Sequence, residues 1–230
     1  MIARVPKRLN YSFLIGLALF VVCLICLPQW RHYAPRTYQS VPTSPYLTPW
    51  TVLSVIVLSL ALTLIASPGQ VRNPVRIILS TALSTVVFCF AAVFLLESAC
   101  GIRVPDLDLF FLPDSSGQRA TLYAARPSPQ SAITSLLFAV ALIVYRADSS
   151  WRKKTYQVFI LAALVLPALA GLSHLIGLFF PPSAAHGIGL SFPAIVLYFT
   201  LGSGVLGLSF ESKVAKPAIS GPIKTFKRWV

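Results

Sequence analysis

Apolar residues in this chain gather into six long stretches separated by short polar ones: 11–27, 47–66, 77–96, 131–145, 156–180 and 188–208. A helix needs about 20 residues to cross a hydrocarbon core of roughly 30 Å. Each stretch approaches that length, the fourth only if its polar entry joins the helix. Backbone N–H and C=O groups in lipid must be bonded within the segment, so stretches this long are helices. The pattern predicts an all-α polytopic membrane domain over residues 1–210 and a basic tail over 211–230.

The fourth stretch shows how such a helix is punctuated. Arg126 to Arg146 reads RPSPQSAITSLLFAVALIVYR. Pro127 and Pro129 hold the entry extended, Ser131 is placed to cap the first turn, and Arg146 closes the span. The pattern recurs. Pro49 to Leu62 aligns without a gap on Pro129 to Leu142, pairing Pro49 with Pro129, Thr51 with Ser131 and Ala61-Leu62 with Ala141-Leu142. Ser191 to Gly204 follows more loosely, with Pro193 near its entry. The preceding helices correspond too, since Leu96 to Gly101 closes the third stretch much as Leu172 to Gly177 nears the end of the fifth. The expected architecture is three helical hairpins in parallel repeat, unlike the inverted halves of many secondary transporters.

Composition agrees with this reading: 56% of the 230 residues are hydrophobic, 11% are charged, and the mean hydropathy is +0.77. No soluble globular domain of this length has that balance. The net charge of +13 therefore concerns topology rather than nucleic acid. With the N-terminus inside, Arg4, Lys7, Arg8, Arg72, Arg76, Arg146, Arg152, Lys153, Lys154, Lys213, Lys216, Lys224, Lys227 and Arg228 fall in cytoplasmic segments; Arg31, Arg36, Arg103, Arg119 and Arg126 fall outside. That asymmetry predicts an inner-membrane protein with both termini cytoplasmic. The stretch after Arg8 runs to Leu27 without a small-residue cleavage site, so the first helix is expected to stay. The basic tail suits anionic inner-leaflet lipids.

Candidate chemistry is sparse. The outer loop 98–128 carries Asp106, Asp108 and Asp114 without calcium-loop spacing, and its Leu107 to Leu112 run is placed to lie along the interface as a short amphipathic helix. Cys23 and Cys26, at i and i+3, read as small packing residues, and four cysteines so distributed make no disulfide framework. His174, beyond Pro167 and Gly171 where a kink is expected, faces the bundle interior or its mouth and suits a hydrogen bond to Ser or Thr. Glu97, at a helix C-terminus where the dipole disfavours an acid, calls for compensation by Arg126 or Arg103. Ser80 with Ser84, and Thr81 with Thr85, are spaced to let helices approach and bond across. Trp30, Trp50, Tyr33, Tyr46 and Tyr123 gather at outer ends as an aromatic belt. No catalytic set, metal site, phosphate loop or dinucleotide fingerprint appears, so neither an enzyme nor a cofactor is expected.

Leu95 to Asp114, LLESACGIRVPDLDLFFLPD, followed by RPSPQSAITSLLFAVAL from Arg126, resembles the membrane-embedded N-terminal sensor regions of bacterial histidine kinases and diguanylate cyclases, of the MASE-like, multi-helix kind. Glu97, Asp108, Leu109-Phe110-Phe111, Arg126, Ser128-Pro129 and Ser131-Ala132 fall on that pattern; Gln130-Ser131 stands where the pattern has Asn-Thr, and Ser98 where it has Tyr. The resemblance implies a sensor module, here without its output domain. It would recognise a small apolar ligand, a lipid or a partner helix, with Glu97, His174 and Arg126 the candidate ligand-binding residues. The competing class is an accessory subunit docked on a larger membrane complex; a transporter ranks third. Expected partners are the bilayer and a membrane protein or a second copy of the chain.

Overall fold

A computed structural model describes residues 10–37, 47–67, 73–101, 126–145, 150–179 and 190–214, without the side chains of 29–37, 150, 153, 177–179 and 210–214. The loop expected outside, beyond Gly101, and the tail beyond Val214 lie outside these residues. The described residues form six helices: α1 (Tyr11–Thr37), α2 (Pro49–Ala66), α3 (Pro74–Cys100), α4 (Pro129–Val144), α5 (Ser150–Phe179) and α6 (Phe192–Val214). Five of them are long and apolar enough to cross a membrane; α4, equally apolar, has 16 residues.

Local sequence sets the helix starts. Proline opens α2, α3 and α4, where its missing N–H is one the first turn leaves unbonded anyway and its fixed φ suits the helix. At α3 the Asn73 side chain accepts from the Val75 N–H at 3.1 Å. Gly101 closes that helix with a left-handed φ of 65°, a conformation glycine adopts without a Cβ clash. At α4 the cap is Ser128, accepting from the Ser131 N–H at 3.2 Å, and not Ser131 itself. Ser128 is the last extended residue before Pro129, and Ser131 is already helical. The polar entry thus joins α4, as its length requires.

Helix ends and apolar ends differ elsewhere. Helix α1 runs past Leu27 to Thr37 while its membrane-compatible window closes at Pro28, because hydropathy marks the lipid-soluble part and not the hydrogen-bonded ladder. Helix α5 starts at Ser150 and continues through the buried Pro167; α6 starts only at Phe192.

Packing arranges the helices as a closed ring, each touching its chain neighbours, with α1 closing against α6; α2, α4 and α6 also touch one another at the centre. Among the described residues the peripheral helices α1, α3 and α5 do not meet. Directions follow from the contacts. The Asn10 side chain donates to the Ala66 carbonyl at 3.0 Å, and Ser80 to the Ala61 carbonyl at 3.0 Å, so α1 and α3 run antiparallel to α2. The Tyr156 hydroxyl donates to the Val205 carbonyl, placing the start of α5 beside the end of α6. Ser135 meets Tyr198 near the starts of α4 and α6, and Tyr145 donates to the Leu208 carbonyl near their ends, so these two are parallel. The end at which α2, α4 and α6 begin is termed the upper end below.

The buried positions of the three central helices fall in one register. Shifting α2 by 80 residues and α6 by −63 superposes their buried sets on that of α4: Thr51, Ser131 and Ala194; Val52, Ala132 and Ile195; Val55, Ser135 and Tyr198; Leu58, Phe138 and Leu201; Ser59, Ala139 and Gly202; Ala61, Ala141 and Gly204; Leu62, Leu142 and Val205. The peripheral helices share a second register, with Ser12, Ser80 and Tyr156, then Gly16, Ser84 and Ile160, then Leu19, Val87 and Ala163, then Cys23, Ala91 and Pro167 on their inward faces. This 4-3-4 spacing is a narrow seam, and it leaves large apolar side chains outward, among them Ile25, Ile78, Leu161 and Leu172. A membrane explains such faces; in water they would be an aggregation surface.

Between apolar helices in lipid there is no hydrophobic driving force, so close packing and cross-helix polar bonds must hold the bundle. The central helices carry small residues at three of these positions: Thr51, Ser131 and Ala194; Ser59, Ala139 and Gly202; Ala61, Ala141 and Gly204. A Cβ on Gly204 would come within 2.9 Å of Leu62, and one on Gly16 within 2.5 Å of the Thr63 hydroxyl. A side chain larger than hydrogen would force its neighbours at these positions to shift.

Candidate functional site

The charged residues that the sequence points to meet at one corner of the upper end. Glu97 lies in the last turn of α3 and Arg126 just ahead of the cap of α4, so the intervening loop returns to its own base there. Arg126 Nη1 donates to Glu97 Oε2 at 2.6 Å, and the two side chains are 6% and 7% exposed, respectively. Compensation of Glu97 by Arg126 is thus direct. Arg103 lies outside the described residues. Neither α2 nor α4, the helices packed on α3, contributes an ionisable side chain of its own. A charge-assisted hydrogen bond is about twice as strong as a neutral one, and the desolvation cost of burying both charges is large.

Directly below lies a small apolar cluster separate from the main core: Trp50, Phe94 and Ala132, with Leu53 and Leu95 against it and Leu27 touching both clusters. Trp50 is 5% exposed and sits edge-on to Phe94, with ring centroids 5.3 Å apart, and tilted against Phe90 at 5.2 Å. It therefore packs inward and does not serve the expected aromatic belt. Its partners lie one turn apart on α3, an arrangement that hydropathy does not register. The remaining belt residues fall outside the described side chains.

His174 lies at a different corner, between α5 and the start of α6. Its Nε2 donates to the Leu190 carbonyl at 3.0 Å, not to the Ser or Thr expected, and its ring stands edge-on to Phe192 at 6.5 Å. The carbonyl is available because Leu190 precedes α6. Glu97–Arg126 and His174–Leu190 play the same part at two corners. Each ties the end of a peripheral helix to the entry of the central helix that follows. The structure does not bring His174 together with Glu97 and Arg126.

Polar groups missed by the sequence reading lie deeper. Tyr198, fully buried, donates to the Ser131 carbonyl at 3.0 Å; its one proton being so used, the 2.8 Å contact with Ser135 has the serine as donor. Phe138 stacks on its ring at 6.2 Å. At the lower end Tyr145 and Tyr156 lie 4.9 Å apart and both donate to carbonyls of α6. A tyrosine inside an apolar run is a signal for such bonds, since its hydroxyl must find a partner in lipid.

The hydroxyls of Ser80, Thr81, Ser84 and Thr85 on α3 divide. Ser80 crosses to α2 and Ser84 is buried, whereas Thr81 and Thr85 donate back to the carbonyls of Ile77 and Thr81 on their own helix. The expectation of cross-helix bonding by the threonines is therefore corrected. The i−4 carbonyl is within reach of a threonine rotamer, and α3 turns these positions away from α2.

The structural positions read from the repeat also have places. Pro49 is buried in the first turn of α2 and Thr51 bonds Thr48 at 2.8 Å; Pro129 and Pro193 are exposed in the first turns of α4 and α6. Cys23 is buried and Cys26 half-buried on α1. Among the described residues no three His, Cys, Asp or Glu side chains come together as metal ligands would. Comparison with family models, with curated proteins and with solved structures finds no match to the chain.

Proposed function

We propose that this chain is a non-catalytic, sensor-like domain of a bacterial inner membrane, with six spans in three parallel hairpins, both termini cytoplasmic and the upper end facing outward. The observation that carries the reading is the Glu97–Arg126 corner. Of the residues on which the resemblance to kinase and cyclase sensor regions rests, Glu97, Arg126, Ser128-Pro129 and Ser131-Ala132 gather at this corner, beside the apolar cluster of Trp50 and Phe94. An ionisable pair at membrane depth is costly to keep and is a functional hypothesis by default. The three-hairpin repeat is supported by the two burial registers described above, which coincide with the sequence alignments of Pro49 with Pro129 and of Leu96 with Leu172.

The sensor acts by binding a small apolar ligand, a lipid or a partner helix with different affinity in two packings of the bundle. Purification in mild detergent separates this from an accessory subunit. A chain that isolates by itself and shifts its melting temperature with apolar ligands or lipids supports the sensor; a stable stoichiometric complex with other membrane proteins supports the subunit. Orientation has its own test. A reporter fused after Val230 that is active outside, or a cysteine at Gly117 labelled from inside, overturns the topology.

A further inference from the structure

We infer that the upper corner of α3 and α4 is a latch, able to open as a local unit while the rest of the bundle stays closed. The inference is conformational and holds whether the chain serves as sensor or subunit. Three observations support it. First, the corner has its own apolar cluster, Trp50, Phe94 and Ala132, distinct from the main core that unites all six helices. Local opening follows such divisions of packing. Second, the contact above this cluster is a buried ion pair, whereas the corresponding corner of α5 and α6 uses a neutral bond from His174 to the Leu190 carbonyl. A neutral tether at the same place meets the fold's need, so the charged one adds a contact whose loss is severe. Third, the flanks α2 and α4 hold no ionisable side chain of their own, so neither helix supplies a substitute charge when the pair parts.

Opening thus gives up the Glu97–Arg126 contact and the Trp50 packing at the bundle end. The closed state is the one described here. Breaking one partner of a buried pair is among the larger single-residue effects in proteins, which makes this corner the most sensitive place to bias the equilibrium.

The shared register supplies the control. Ala132 on α4 and Ile195 on α6 occupy equivalent first-turn positions and are 2% and 5% exposed. In proteoliposomes of the full chain with Cys23, Cys26, Cys89 and Cys100 replaced, A132C and I195C are labelled with a membrane-impermeant maleimide, with and without E97Q. The latch predicts slow labelling of both in the parent and an increase of roughly a hundredfold for A132C alone in E97Q. The charge swap E97R/R126E should restore protection. Equal increases at both cysteines mean that the bundle loosens as a whole and overturn the latch. So does no increase at A132C, or fast labelling of A132C in the parent.

Discussion

Ser135 on α4 and Tyr198 on α6 share a buried hydroxyl contact of 2.8 Å towards the upper end of the bundle, and the proton of Tyr198 goes on to the Ser131 carbonyl at 3.0 Å. Residues 63 positions apart in the chain are thereby held at one depth, the spacing that also separates Tyr145 from Leu208. Two parallel central helices are pinned in register by tyrosines, one at each end.

Removing the Tyr198 hydroxyl should therefore loosen the bundle measurably without unfolding it. Hydrogen bonds between membrane helices average about 0.6 kcal/mol and reach about 1.7. Tyr198→Phe loses two such contacts and is expected to lower stability by about 1 kcal/mol in a detergent unfolding titration. Ser135→Ala should cost less, and the pair should be non-additive, since both changes remove the same contact.

Glycines differ in what they tolerate. A methyl at Gly16 would press on the Thr63 hydroxyl at 2.5 Å and on the Ser59 carbonyl at 3.0 Å, and Thr63 is itself held by a 2.8 Å bond to that carbonyl. A methyl at Gly171 would meet only Ile195, at an ordinary 3.7 Å. Gly16→Ala should destabilise by roughly 1–3 kcal/mol as overpacking does, and Gly171→Ala should be neutral or slightly stabilising through the helix propensity of alanine. Equal melting temperatures for the two variants would contradict the α1–α2 contact.

The ion pair invites a contrast between breaking and replacing. Glu97→Gln or Arg126→Gln leaves one buried charge without its counter-charge and should cost about 3–5 kcal/mol, more than any neutral contact in the bundle. Replacing both by leucine removes the charge altogether and should recover most of that loss. Thermal melting of the three variants in one detergent distinguishes the cases; a double variant no better than the singles would mean that the two side chains serve by shape or by other bonds.

Much of the fold was legible from hydropathy because lipid imposes a one-dimensional rule: long apolar runs must be helices. Prolines 49 and 129 were legible for the same kind of reason, since a first turn is where a helix accepts proline. Capping was misread by one turn of α4, where Ser128 and Ser131 are both plausible caps and only the extended backbone of Ser128 decides. The facing of side chains was the least accessible. In an all-apolar helix the inward stripe carries no hydropathy contrast, so neither the inward turn of Trp50 nor the division between Ser80 and Thr81 could be read. Glu97 and Arg126 could be matched because charge is scarce in this chain and each had few possible partners. His174 had a backbone carbonyl as its partner, which no residue type announces.

The closure of α1 against α6 has one more implication. Tyr11 donates to Ser203 at 3.2 Å, and a Cβ on Gly207 would touch Ser12 and Tyr11, so the start of α1 stands beside the end of α6. The helices form a cycle through which the chain happens to enter between α6 and α1. A circularly permuted protein, with the old termini joined and new ones cut between Ser67 and Asn73, should insert with the same helix neighbours and melt within a few degrees of the parent. Where the polypeptide begins is, for this ring, a matter of order of synthesis more than of architecture.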